Sequence, residues 1–148
     1  MLKAYKFRLF PTKTQRSKME RTLDLCRWVY NQTLAYRKDA WEKEGRSTSK
    51  YETNNLLPNW KVEKPDLNEV FSQVLQNTQE RVDLALKAFF RRVKAGEKPG
   101  YPRFRGSGWY DSFTYPQFGF KLLCGKLRLS KIGDIKIKLH RPIEGKIK

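Results

Sequence analysis

Leu2-Lys3-Ala4-Tyr5-Lys6-Phe7-Arg8-Leu9-Phe10, followed by Pro11 and then Thr12-Lys13-Thr14-Gln15, is the stretch that decides the fold. Its residues alternate. Tyr5, Phe7 and Leu9 fall on one side and Lys6 and Arg8 on the other, the pattern of a half-buried strand with a cationic outer face. Pro11 ends the strand. Thr12 to Gln15 reads as a capping box that opens a helix carrying Met19 and Leu23 on one face. A strand standing alone ahead of helices cannot satisfy its own ladder of N–H and C=O groups. It must therefore pair with strands from later in the chain.

The helices come next. Asp24 is placed to cap a second helix from about Leu25, with Trp28, Val29, Leu34 and Trp41 as apolar positions and Arg27, Arg37 and Lys38 on its polar side. Two short helices in succession are consistent with a helix-turn-helix, although the spacing does not place the second in a DNA groove. Glu44 to Ser47 reads as a loop. Ser49-Lys50-Tyr51-Glu52 reads as another capping box, starting a short helix that stops at Pro58, and Asn59 to Pro65 as irregular chain. A long helix is expected from about Leu67 to Val93, with Leu75, Val82, Leu86, Phe89 and Val93 forming a core-facing stripe.

That helix runs into charge. Between Lys87 and Arg105 stand seven basic residues (Lys87, Arg91, Arg92, Lys94, Lys98, Arg103, Arg105) and one acidic residue, Glu97. Tyr101, Phe104, Trp109 and Tyr110 interleave with them. Arginines pair with phosphates and aromatic rings offer π-faces to bases, so the stretch is a candidate nucleic-acid surface. A solvated basic loop is the alternative. Beyond Gly108 the period falls to two. Ser112–Tyr115, Phe118–Leu123, Lys126–Leu129 and Asp134–Leu139 read as strands, with Gly119, Gly125 and Gly133 at turns. Lys136 and Lys138 form a second basic outer row like that of Lys6 and Arg8. The sequence closes on Gly145-Lys146-Ile147-Lys148, which reads as the first residues of a further strand and suggests a truncated polypeptide.

The expected fold class is thus α+β, a small β-barrel with a helical insertion after its first strand. Residues 1–10 supply that strand, 11–95 the helices including the helix-turn-helix, and 96–148 the rest of the barrel, its last strand cut short.

Across 148 residues, Lys+Arg number 32 against 15 Asp+Glu, for a net charge of +17. Such a field attracts polyanions and makes binding salt-dependent. An aromatic content of 14% argues against a disordered basic tail. There is no apolar run of membrane-spanning length and no signal-peptide pattern, so a cytoplasmic, nucleoid-associated protein without a membrane partner is expected. Cys26 and Cys124 stand far apart, as reduced and buried thiols rather than a disulfide or zinc pair. His140 has a structural setting within a strand. Cleavage of a phosphodiester commonly needs metal ions held by several carboxylates. Here the acidic residues are scattered over helix caps, helix surfaces and loops (Asp24, Glu20, Glu80, Asp83, Glu63, Asp66, Asp111), with no DxD pair on a strand. Phosphate-binding glycine loops, HExxH and nucleophile–histidine pairs are also missing. No catalytic residue, cofactor or metal ligand is expected in this chain. The residues expected to meet RNA or phosphate are Lys6, Arg8, Arg27, Arg37, Arg91, Arg92, Lys94, Arg103, Arg105, Lys136 and Lys138.

Four blocks in order carry a family resemblance: Lys3 to Thr12 with Gln15; Cys26-Arg27-Trp28-Val29-Tyr30-Asn31; Ala88-Phe89-Phe90-Arg91-Arg92 with Gly100-Tyr101-Pro102-Arg103-Phe104; and Leu129 to Lys148 with Gly133-Asp134-Ile135-Lys136-Ile137 and His140-Arg141-Pro142. Together they resemble the N-terminal part of the TnpB (OrfB) proteins, transposon-encoded RNA-guided DNA nucleases related to the type V CRISPR effectors and long described as transposases. The resemblance implies a wedge-type β-barrel interrupted by a helical recognition lobe, holding a transposon-derived guide RNA and reading double-stranded DNA beside the target. It also implies a RuvC-like nuclease domain with Mg²⁺ and a structural zinc, both outside this region. It places Lys50, Asn54, Ser72, Gln73 and Gln76 in the DNA-reading region, with Gln117 as a further candidate. Amides pair bidentately with adenine, and lysine meets guanine or phosphate. Each amide is equally compatible with an ordinary surface position.

Two other function classes fit the composition. One is an autonomous helix-turn-helix regulator, which would need a dimer where no dimer helix is evident. The other is a basic rRNA-binding structural protein.

Overall fold

A computed structural model describes all 148 residues. The elements are β1 (Arg8–Phe10), α1 (Lys13–Glu44), α2 (Lys50–Asn54), α3 (Leu57–Glu63), a 3₁₀ turn (Pro65–Glu69), α4 (Ser72–Lys94), β2 (Phe120–Leu123), β3 (Lys126–Leu129) and β4 (Gly133–Lys138). The four strands form one antiparallel sheet in the order β1-β4-β3-β2. The first strand does return to the C-terminal strands, with Arg8 opposite Lys138 and Phe10 opposite Lys136. The helices are inserted between them, so the α+β class holds. The four strands do not close on themselves.

Several expected boundaries move. Regular pairing covers only the last three residues of the first strand. Beyond Lys138 the partner chain runs into Pro142, which has no N–H for a ladder. Upstream contacts therefore pass through side chains. Phe7 packs edge-on against His140 at 5.0 Å, Arg141 lies over Tyr5 at 4.7 Å, and the Glu144 N–H donates to the Tyr5 hydroxyl.

The two expected N-terminal helices are one. Asp24 sits exposed in the middle of α1 and caps nothing. No Gly or Pro interrupts Lys13 to Glu44. The buried stripe Thr22, Leu25, Cys26, Val29, Tyr30, Thr33 and Leu34 runs straight through, and continuous burial outweighs the capping preference of a single Asp. The helix starts as expected. Gln15 and Thr12 form both bonds of the capping box, and the Gln15 side-chain amide also donates to the Asp134 carbonyl at 2.6 Å, tying α1 to β4.

Pro58 opens α3 instead of stopping a helix, since a first-turn residue needs no N–H donor. That turns Asn59–Glu63 helical. The long helix begins at Ser72, because Pro65–Glu69 form a 3₁₀ turn and Val70 is extended. Phe89 is only partly buried, and Val93 is exposed. Ser112–Tyr115 is not a strand. Arg81 takes its polar groups, bonding the Ser112 carbonyl and hydroxyl and the Thr114 hydroxyl. Lys146–Lys148 form no strand.

The main core joins α1 and α4 through Leu25, Val29, Leu34, Val74, Leu75, Val82 and Leu86. A smaller cluster of Leu129, Ile132 and Ile135 lies under the sheet. Phe113 and Tyr115 pack against both clusters and join helices to sheet.

Candidate nucleic-acid interface

Three polar surfaces result. The first is a groove of about 680 Å³ between the C-terminal half of α4 and the 100–109 segment, lined by Tyr30, Arg92, Arg103, Phe104, Arg105 and Trp109. The segment has no regular structure of its own, so α1 shapes it. The Asn31 amide clamps the Arg105 peptide, donating to its carbonyl at 2.9 Å and accepting from its N–H at 2.8 Å. Arg27 adds a second donor to the same carbonyl at 3.4 Å. The Arg105 guanidinium lies over the Tyr30 ring, Lys38 over Phe104, and Phe89 packs edge-on against Tyr101. Trp109 remains 75% exposed. No carboxylate pairs with Arg91, Arg92, Lys94, Arg103 or Arg105, whereas Arg21, Arg37, Arg46 and Arg128 are all in ion pairs. Unpaired cations beside exposed rings suit a chain that brings both phosphates and π-faces.

The second surface is the outer face of the sheet. Arg8 stands directly opposite Lys138, and Lys126 opposite Lys136. Like charges in direct register are unfavourable unless an anion lies across them. Lys6 is exposed on the same side of its segment, and Arg128 alone finds a partner, Asp134.

The third is a row along α4. Ser72, Gln76 and Glu80 follow at i, i+4 and i+8, a run of roughly 12 Å on a helix. Ser72 accepts from Lys61 at 2.9 Å, and Glu80 meets Lys50 at 3.4 Å. α4 opens without a side-chain cap and with no acid in its first turn, so the positive end of its dipole is left uncompensated. Gln73, half-buried beside this row, accepts from the Phe118 N–H at 3.4 Å and so brings exposed Gln117 alongside. Gln76 makes no hydrogen bond and is free in water. α2 is held against α4 by Gln79, which donates to the Thr53 carbonyl at 2.7 Å. Asn54 turns inward, and its carbonyl oxygen is buried without a partner.

The expected sites therefore divide. Arg37 is engaged inside the fold. It is a buried partner of Asp83 at 2.7 Å, with side chains 10% and 6% exposed, and it also donates to the Thr48 carbonyl. A polar residue on a helix face that meets α2 and α4 is shielded from solvent, which the sequence of α1 alone does not reveal. Burial alone would raise the Asp83 pKa, but hydrogen bonds from Arg37 and Lys87 hold it below the usual range. Arg27 positions the loop, with its Nε buried. The roles of Asn31, Tyr30 and Arg81 come from the fold and not from the sequence pattern. Asn31 lies one turn beyond Arg27 on the same helix face, and that spacing was the available signal. Cys26 is buried, its thiol pushed up to about 11 by desolvation, while Cys124 is exposed at the β2–β3 turn, against expectation. No three His, Cys, Asp or Glu side chains gather anywhere in the chain. No helix is long and apolar enough to cross a membrane.

Residues 1–46 match HTH_OrfB_IS605, a helix-turn-helix domain. In this chain that span holds β1 and the unbroken α1, with the turn at Gly45 leading on to α2. Along nearly the whole chain there are relatives as well. "Putative RNA-guided DNA endonuclease InsQ" of Escherichia coli (strain K12) is 32% identical over 99% of this chain and 36% of its own length. "Putative RNA-guided DNA endonuclease" of Streptomyces pristinaespiralis is 31% identical over 95% of this chain and 35% of its own length. The TnpB (OrfB) resemblance is shown by these matches. The chain spans about a third of the length of the relatives it matches.

Proposed function

We propose that this chain is the nucleic-acid-binding part of a TnpB-like RNA-guided nuclease, holding a transposon-derived guide RNA and reading DNA beside the target, without performing the cleavage itself. The observation that carries this reading is the sorting of cations. Those of the α4–loop groove stand unpaired among exposed rings, and Arg8, Lys126, Lys136 and Lys138 of the outer sheet face stand unpaired beside one another, while Arg21, Arg37 and Arg46 on the helices are matched with carboxylates. The groove suits single-stranded or folded RNA, which is met by stacking and phosphate contact. The amide row on α4 has the chemistry to read base edges in a duplex. RNA and duplex DNA are thus assigned to different faces of one monomer. A stand-alone helix-turn-helix regulator fits less well. Its second helix would be α2, which has five residues and is packed against α4.

Crosslinking in cells separates the readings. Recovery of a transcript from a transposon end is the expected result. Recovery of rRNA, or of DNA with no RNA, would overturn the assignment.

A further inference from the structure

We propose that Phe118 is a wedge that enters the base stack of duplex DNA lying on the amide row of α4. The inference rests on the reading of Ser72, Gln73, Gln76 and Gln117 as a duplex-facing surface.

Phe118 is 67% exposed and belongs to neither apolar cluster. Its backbone, by contrast, is tethered to the fold. Its N–H donates to Gln73 Oε1. The next residue, Gly119, has φ +84°, and the Phe71 ring fills the place a Cβ would take, 2.6 Å away. The Gly119 carbonyl accepts from the Ser130 N–H at 2.6 Å. Phe71 packs edge-on against Tyr115, whose hydroxyl donates to the Ser130 carbonyl at 2.7 Å. Phe71, Tyr115, Ser130 and Gly119 thus close a ring of contacts under the 116–119 turn. Only glycine fits both the conformation and the space at 119, and the contacts beneath the turn hold it in a shape that leaves the Phe118 ring exposed.

A fixed apolar ring in water, adjoining base-pairing amides, has the form of side chains that wedge between base steps and kink or unstack a duplex. Rigid support lowers the ordering cost of insertion. Gln117 precedes the ring in the chain, Gln73 holds its backbone, and Gln76 lies one helical turn further, so a duplex meeting the amides also meets the ring. A protein partner is a poorer fit, because the exposed amide Gln117 precedes the ring and the amide Gln73 bonds its backbone, where an interface core would supply apolar neighbours.

The test uses the whole purified chain with co-purifying RNA retained. Duplexes carrying a randomised stretch are selected for binding, and the enriched duplex is labelled with 2-aminopurine at successive steps. Wild type is expected to enrich a motif and to raise fluorescence at one step beside it. Phe118→Leu should keep the rise. Phe118→Ala should abolish it and weaken binding to the intact duplex on the order of tenfold, and a mismatch at that step should restore the affinity. Because Phe118 is exposed, either variant should fold. Failure of wild type to enrich any motif would overturn the reading of the amide row, and the wedge with it. Enrichment without a fluorescence rise, or with Phe118→Ala indistinguishable from wild type, would overturn the wedge alone.

Discussion

Arg37 and Arg103 are indistinguishable by residue type, yet one is spent inside the fold and the other stands free at its surface. The difference is the neighbourhood each backbone creates. Arg37 faces α4, where Asp83 meets it at 2.7 Å and Lys87 reaches the other Asp83 oxygen at 2.9 Å. Arg103 lies on a loop with no carboxylate in reach. Asp83 gives the pair a pH signature. Its folded pKa is depressed, so its contribution to stability is complete above the unfolded value near 4 and is lost as pH falls through the lower folded value. Urea unfolding should therefore show wild type losing stability below about pH 4. Asp83→Asn should be less stable at neutral pH by about 3 kcal/mol, since it leaves Arg37 buried without its counter-charge. Its acid limb should be flatter. Parallel pH profiles for the two proteins would remove Asp83 as the cause.

At the scale of elements, α1 gives the sharpest contrast between pattern and outcome. A cap residue stabilises a helix start, so replacing a true cap with alanine costs roughly 1 kcal/mol. Thr12→Ala should lose about that much. Asp24→Ala, exposed in mid-helix, should change stability by less than about 0.5 kcal/mol, as measured by thermal or urea unfolding. A loss at Asp24 equal to that at Thr12 would mean the helix breaks there. Legibility follows the same logic. β1, β3, β4, the capping box at Thr12 and the glycine turns were readable because alternation and local side-chain bonding determine them. The merged α1, the role of Pro58 and the missing strand at Ser112–Tyr115 were not, because burial against α4 and the reach of Arg81 decide them from far along the chain. The site divides likewise. The groove's cations and rings were legible as a contiguous run. The clamp by Asn31 and the turn that fixes Phe118 depend on partners many residues distant.

For the whole molecule, a charge of +17 over 148 residues makes attraction to polyanions inevitable; what the fold adds is where that attraction is spent. Phosphate contacts from the groove should dominate affinity and salt dependence, and the amide row should dominate sequence preference. The groove cations Arg92, Arg103 and Arg105, replaced by alanine together with the neighbouring Arg91, should weaken binding to every ligand, while Gln73→Ala with Gln76→Ala should cost about 1–3 kcal/mol per lost base-edge pair on a matched duplex and little on a scrambled one. The most direct measurement is the slope of log affinity against log salt for a single-stranded RNA. Each lost phosphate contact flattens that slope by about 0.7, so the arginine variant should have a slope shallower by roughly 3 than wild type, and the glutamine variant should match wild type. An arginine variant with the wild-type slope would contradict the account, placing the nucleic acid away from the groove.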